Sequence, residues 1–188
     1  MIRETIVTTL SPQGIPHVAP MGATQTGNGW LLQPFRPSTT LDNFLSGRCG
    51  VINFTDDARI FAGCVTKRKI DWPTVSAGTL GSVRLEAALA SHEVRIARIE
   101  DDGQRPKLHC EVVAETSHRA FPGLNRAIAA VVEGAVLVSR LRMLPPERID
   151  AEFAYLQIAI DRTAGPAELE AWGWILDAVR DHRAKAAS

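Results

Sequence analysis

The densest group of side chains able to do chemistry is Arg36-Pro37-Ser38-Thr39-Thr40, with Asn43 a few residues on. A guanidinium fork, three consecutive hydroxyls and a carboxamide follow the apolar run that ends at Phe35. If a helix starts at Thr39, this set can bind a phosphate. A helix N-terminus carries unused N–H groups and the positive end of the dipole. The hydroxyls add donors, and an arginine adds a charge-assisted fork. Asn43 would lie one turn on from Thr39 or Thr40, on the same side. The same residues also make an ordinary helix cap, because Ser and Thr are favoured there with no ligand. Spacing alone leaves both readings open.

A second string is His17-Val18-Ala19-Pro20-Met21-Gly22. Pro20 has no N–H, and Gly22 lets another group approach the backbone. A planar ring laid along this edge is one explanation; a plain β-bulge is the simpler one. His17 is either an acid beside such a ring or a strand histidine satisfied by backbone. Lys67-Arg68-Lys69 reads as a solvated basic face that can also attract an anion. Asp56-Asp57 reads as the start of a turn. Trp172 and Trp174 lie two apart and so point differently from one helix, Trp172 to a core and Trp174 to an interface.

Several familiar signatures are missing from the sequence. There is no GxGxxG after a strand, no GxxxxGK[ST], no HExxH and no GxSxG. The five histidines have no i,i+4 partners, and Cys49, Cys64 and Cys110 form no CxxC pair. No metal site is expected. The three thiols read as inert groups in a reducing, cytoplasmic setting. Arg3 and Glu4 precede no compact apolar stretch, so no secretion signal is expected.

Elements must carry these strings. The 188 residues include 21 Lys+Arg and 21 Asp+Glu, so the formal net charge is zero. That balance disfavours a nucleic-acid-binding protein, which needs a basic excess for phosphate contacts. It equally disfavours an electrostatically held membrane-surface protein. At 45% hydrophobic and 22% charged, the chain is globular. From Thr5 to Phe35 there is no charged residue. Pro12, Pro16, Pro20 and Pro34 exclude a membrane helix there; buried strands with tight turns fit better. Glu4–Leu10 and Ile15–Ala23 form a hairpin about Ser11-Pro12-Gln13-Gly14. Gly27-Asn28-Gly29 turns into a strand at Trp30–Phe35. A short helix follows over Thr39–Ser46, capped by Ser38 or Thr39 and ended by Gly47. Cys49–Thr55 is a buried strand. Val83–Ile99 and Leu108–Thr116 alternate with period two about Asp101-Asp102-Gly103.

After His118 the period changes to three and four, with Leu124, Ile128, Val131, Val132 and Ala135 on one face. Pro145-Pro146 and Gly165-Pro166 separate two further helices, Glu147–Asp161 and one bearing Leu169, Trp172, Ile175, Leu176 and Val179. The expected class is α+β: an antiparallel barrel over residues 1–117 and a helical C-terminal unit over 118–188.

Taken together, the strings resemble one family. They are Glu4-Thr5-Ile6-Val7-Thr8-Thr9, His17–Gly22, Arg36–Thr40 with Asn43, and Asn53-Phe54-Thr55-Asp56-Asp57. Asn125-Arg126-Ala127, Glu133 and Ser139-Arg140-Leu141 extend the set. Their order and spacing are similar to those of the domain of unknown function 447 family. That family resembles a branch of the FMN-binding split-barrel flavoproteins, relatives of flavin reductases. The resemblance implies a six-stranded antiparallel split β-barrel, a homodimer, and FMN near the subunit interface. It implies that Arg36, Ser38, Thr39 and Thr40 hold the FMN phosphate, supported by Asn43. Pro20, Met21 and Gly22 would run along the flavin ring, and Asn53 would contact flavin or ribityl oxygens. Asn125 and Arg126 would reach the cofactor or the partner subunit, with helix capping an equal alternative for Asn125. The implied activity is a flavin-dependent oxidoreductase of unknown substrate, fed by a nicotinamide or another small-molecule reductant. The alternatives are a non-enzymatic carrier of FMN or a related anion, and a structural dimer that has lost its cofactor.

Overall fold

A computed structural model describes residues 1–27 and 29–186. Asn28, in the middle of the expected Gly27-Asn28-Gly29 turn, lies outside the described residues. The chain divides into two compact units: Met1–Thr55 with Asp71–Phe121, and Asp56–Ile70 with Pro122–Ser188.

The first unit is a closed antiparallel barrel. Its strands are β1 (Ile2–Leu10), β2 (Pro16–Thr26), β3 (Gly29–Leu32), β4 (Cys49–Phe54), β7 (Ala90–Glu100) and β8 (Lys107–Ser117), in the order β1-β2-β3-β8-β7-β4. A small hairpin of β5 (Thr74–Ser76) and β6 (Val83–Leu85) lies between β4 and β7 in sequence. The expected β1–β2 hairpin is present, with Ile6 opposite Pro20 and Thr9 opposite His17. Val7, Leu32, Ile52, Val94 and Leu108 pack in the barrel core.

Helix α1 (Thr39–Gly47) contributes Leu41 and Phe44 to that same core. A Cβ on Gly50 would lie 2.8 Å from the Phe44 ring and 3.0 Å from the Thr8 carbonyl. Glycine at that position is what admits the ring. Phe44 is fully buried, worth about 2 kcal/mol in apolar transfer alone. The helix ends on Arg48, left-handed at φ 58, whose N–H bonds the Phe44 carbonyl. Arg48, one residue after the expected Gly47, thus closes the helix.

Two further differences from the sequence pattern have local causes. β3 stops at Leu32 and does not reach Phe35. Pro34 has no N–H to continue a ladder, and the Gln33 carbonyl accepts from Arg105 Nη2 at 3.2 Å. The period-two run from Val83 is broken after Leu85, because the Leu89 N–H turns back to the Phe54 carbonyl at 2.8 Å.

Side chains on three barrel strands pin the β5–β6 hairpin. Thr8 Oγ1 donates to the Val83 carbonyl. Asn53 Oδ1 accepts the Leu85 N–H at 2.8 Å. The Glu93 carboxylate, 3% exposed, accepts the N–H groups of Thr79 at 3.0 Å and Leu80 at 2.7 Å.

The second unit holds α2 (Arg59–Thr66), α3 (Arg126–Ser139), α4 (Pro146–Thr163) and α5 (Pro166–Ala186). Helix α2 has no counterpart in the sequence pattern; Asp57 Oδ1 accepts the Arg59 N–H at its start. Leu124, expected on the apolar face of α3, precedes the helix and is 97% exposed. Gly134 lets α3 approach α5: a Cβ there would lie 2.8 Å from the Trp172 ring. Trp172 is buried, donates to Gln157 Oε1 at 2.8 Å and packs on Phe153.

Replacing Glu93 with alanine strips the Thr79 and Leu80 amides of a charged acceptor. The expected loss is about 2 kcal/mol of stability, with faster hydrogen exchange at residues 77–82. Unchanged exchange there would show that the carboxylate does not hold the hairpin.

Candidate functional site

The apolar run through β3 delivers the chain to Arg36, and the hydroxyl-rich string then starts α1. Ser38 is the cap: its backbone is extended, and its Oγ accepts the Leu41 N–H at 3.2 Å. Its carbonyl accepts the Asp42 N–H at 3.0 Å, the first helical bond. No described group takes the N–H groups of Thr39 and Thr40. A helix start with two unused N–H groups and three hydroxyls has the donor set that a phosphate needs. Thr39 is exposed and Thr40 is buried. Asp42, in the first turn, is exposed, so solvent screens its charge.

Arg36 stands beside this turn after a cis Arg36–Pro37 bond. One of its terminal nitrogens, Nη1, donates to Asp101 Oδ1 at 2.9 Å and to the Gly103 carbonyl at 3.1 Å. Its backbone N–H donates to the Gln104 carbonyl. Nε and Nη2 are left for another acceptor. The Gly103 N–H, and then Arg36, hold the Asp101 carboxyl below its ordinary range. The β7–β8 turn therefore fixes the arginine. It also brings Arg105, whose guanidinium lies 4.4 Å from the Phe35 ring centroid. The sequence reading missed Asp101 and Arg105 as parts of this site. Asp101-Asp102-Gly103 looked like a turn and nothing more, and no spacing rule links residue 36 to residues 101–105.

Helix α1 packs against β1, β2 and β4. Asn43, 4% exposed, donates through Nδ2 to Thr9 Oγ1 at 3.0 Å. It faces β1 and ties the helix to the barrel. Pro20, Met21 and Gly22 pair with Ile6, Thr5 and Glu4 of β1. β3 pairs with β2 only from Ala23 to Thr26 and does not extend to them. Thr5 Oγ1 bonds the Met21 carbonyl at 2.7 Å, and the Met21 side chain packs on the core. So α1 and the stretch of β2 that β3 leaves uncovered belong to one unit.

Asn53 lies in the same register row as Ile6 and Pro20; the other sequence candidates sit in the second unit. Asn53 is fully buried; its Nδ2 donates to the Ile6 carbonyl and Thr8 Oγ1, and its Oδ1 holds Leu85. It joins β1, β4 and the hairpin. Asn125 caps α3, accepting from Ala127 at 2.7 Å and donating to the Thr163 carbonyl at 3.0 Å. Arg126 borders a groove between α3 and α4 with Glu133 and Tyr155. Both belong to the second unit, as does Arg68, which pairs with Asp181 at 3.2 Å. Burial pushes the Cys110 thiol up to about 12 and raises Cys49, so neither is a ready nucleophile. Among the described residues, no group of three or more His, Cys, Asp or Glu is placed to hold a metal. No helix among them is long and apolar enough to cross a membrane.

Comparison with known proteins gives the family. The family model described as "Protein of unknown function (DUF447) N-terminal domain" matches residues 3–119. The model for its C-terminal part matches residues 125–177. The chain belongs to this family. Among solved structures, it is similar to an FMN-bound protein of the same family from Methanosarcina mazei. The two are 21% identical over 94% of each chain, with a TM-score of 0.79. It is also similar to a 2-nitrobenzoate 2-nitroreductase from Pseudomonas fluorescens. That match is 22% identical over 61% of this chain and 64% of that one, with a TM-score of 0.54. A third neighbour is an NADH:FAD oxidoreductase from Streptomyces globisporus. It is 15% identical over 63% and 77%, with a TM-score of 0.52. At these identities the likeness concerns the fold, and that fold is the flavin-reductase-like split barrel. Among curated proteins, none matches.

The barrel's histidines give a pH dependence. Burial lowers His17; burial, opposed by Glu115, lowers His92; burial and then Arg84 lower His118. Trp30 Nε1 donates to His92 Nδ1 at 3.1 Å, which needs the neutral ring. Glu115 lies 3.9 Å from the same nitrogen, and the shorter Trp30 bond governs at neutral pH. A histidine lowered by folding binds its proton first in the unfolded chain. Its stability contribution is complete above the ordinary value of 6.5 and is lost as pH falls through the folded value. The melting temperature is expected to drop on acidification from pH 7, and to drop less in His92→Gln. An identical acid slope in both proteins would remove His92 from this account.

Proposed function

We propose that the protein binds FMN, with the phosphate on the first turn of α1 and the ring along β2, and acts as a flavin-dependent oxidoreductase. The observation that carries this reading is the pair of unengaged N–H groups at Thr39 and Thr40, beside the hydroxyls of Ser38 to Thr40 and the oriented Arg36. The FMN named with the family member from Methanosarcina mazei fits this donor set. In this reading Arg36, Ser38, Thr39 and Thr40 bind the phosphate. Asn43 holds the helix that presents them. Pro20, Met21 and Gly22 offer an edge that β3 does not cover. Asn53 fixes the β1–β4 wall behind that edge. Arg126 is assigned to contact with the cofactor or a partner subunit, and the protein to a cytoplasmic homodimer. When bound, FMN supplies the redox chemistry; the protein supplies binding, orientation and exclusion of water. A nicotinamide or another small molecule serves as reductant.

Purified protein is expected to retain FMN, seen as yellow colour with a band at about 450 nm. In Arg36→Ala combined with Thr39→Ala, retention falls about a hundredfold while the fold persists. Retention unaffected by that pair would disprove the phosphate assignment. Bleaching of bound FMN by NAD(P)H separates the enzyme from the carrier, which stays yellow.

A further inference from the structure

The barrel carries a cavity at the Phe54 end of β4. Helix α1 runs into the start of β4 at Cys49, and the cavity lies at the other end of that strand, against Phe54. Five residues of strand, about 16 Å, separate Phe54 from the C-terminal end of α1. Its walls come from the ends of β4, β7 and β8; β4 and β8 each lie two strands from β2 around the barrel, and β7 lies three. The cavity shares no lining residue with the proposed flavin cradle. Its volume is about 630 Å³, within the range of small-molecule sites.

Its lining is chemically selective. Phe54, Leu89 and Phe121 supply the apolar wall, and Phe121 is 61% exposed. Ser117, His118 and Arg119 supply the polar groups, and no carboxylate lines it. The turn that carries them is fixed. The N–H groups of His118 and Arg119 both reach the Leu89 carbonyl, at 2.8 and 3.1 Å. Arg119 Nη2 donates to the Ala87 carbonyl at 2.7 Å, which leaves the rest of its fork for a ligand. His118 Nε2 is 2.9 Å from Ser91 Oγ, and Ser91 is buried. Arg84 lies near enough to act on His118 as a second positive charge.

A cavity with two phenyl rings, guanidinium charge and no acid fits a flat apolar anion. We infer that this cavity binds a small aromatic carboxylate, its ring against Phe54 and Phe121 and its carboxylate on Arg119. One free fork suits one carboxylate. The inference does not rest on the flavin reading, since none of its residues belongs to the cradle.

The test is titration of the full chain with benzoate, followed by amide chemical shifts, with and without added FMN. Saturable shifts are expected at residues 89–90 and 117–121 under both conditions. Benzamide, the same shape without the charge, is expected to bind about tenfold more weakly. Arg119→Gln should cost benzoate about the same factor and leave FMN affinity and benzamide unchanged. Phe121→Ala, at an exposed position that the fold does not need, should weaken both ligands. Equal affinity of benzoate for wild type and Arg119→Gln would overturn the inference. So would shifts confined to residues 36–43, or a dimer interface that buries Phe121 and excludes benzoate.

Discussion

The site depends on where β3 stops. It pairs with β2 for four residues, Ala23 to Thr26, and ends at Leu32. Had the ladder continued, Gln33 to Phe35 would have covered β2 toward Pro20. Pro34 prevents this by lacking an N–H, and Arg105 takes the Gln33 carbonyl instead. The chain is released from the sheet just before Arg36. Two consequences follow from one interruption: part of β2 stays uncovered, and the next helix packs on β1, β2 and β4. Leu41 and Phe44 then draw α1 into the barrel core, which fixes the direction in which its N-terminus points.

Electrostatics within this corner matter more than the total charge. The protein is neutral overall, yet the first charge after Glu4 is Arg36. Asp101 pairs with it at the surface, with side-chain exposures of 41% and 57%. A pair so exposed contributes little to stability. Its value is geometric: it uses one guanidinium nitrogen and aims the rest of the fork. Arg105, stacked on Phe35, adds a second cation from the same turn. Backbone N–H groups need no such aiming, because α1 presents them wherever its packed residues hold it.

Much of this was legible in the sequence. The hairpin about Ser11–Gly14, the Ser38 cap, the buried β4 and the three proline- or asparagine-started helices all follow from local turn chemistry and periodicity. The string Arg36–Thr40 marked the α1 start correctly because a cap and a phosphate site use the same residues. What stayed illegible depends on distant partners. The hydrogen bonds of Asn53 to β1 and to Leu85 are set by residues distant in sequence, which no local pattern reveals. Glu93 looked like any strand acid, and its role depends on a loop thirteen or more residues earlier. Helix α2 is short and mostly apolar, so its periodicity resembled no particular element.

The central claim is that the α1 N-terminus and Arg36 hold a phosphate, and one comparison isolates that group. Riboflavin is FMN without the phosphate. Affinities of the wild-type chain for the two should differ by at least about a hundredfold, and that gap should close in Arg36→Ala combined with Thr39→Ala. A chain that binds riboflavin as tightly as FMN, or whose preference for FMN survives both substitutions, would contradict the account.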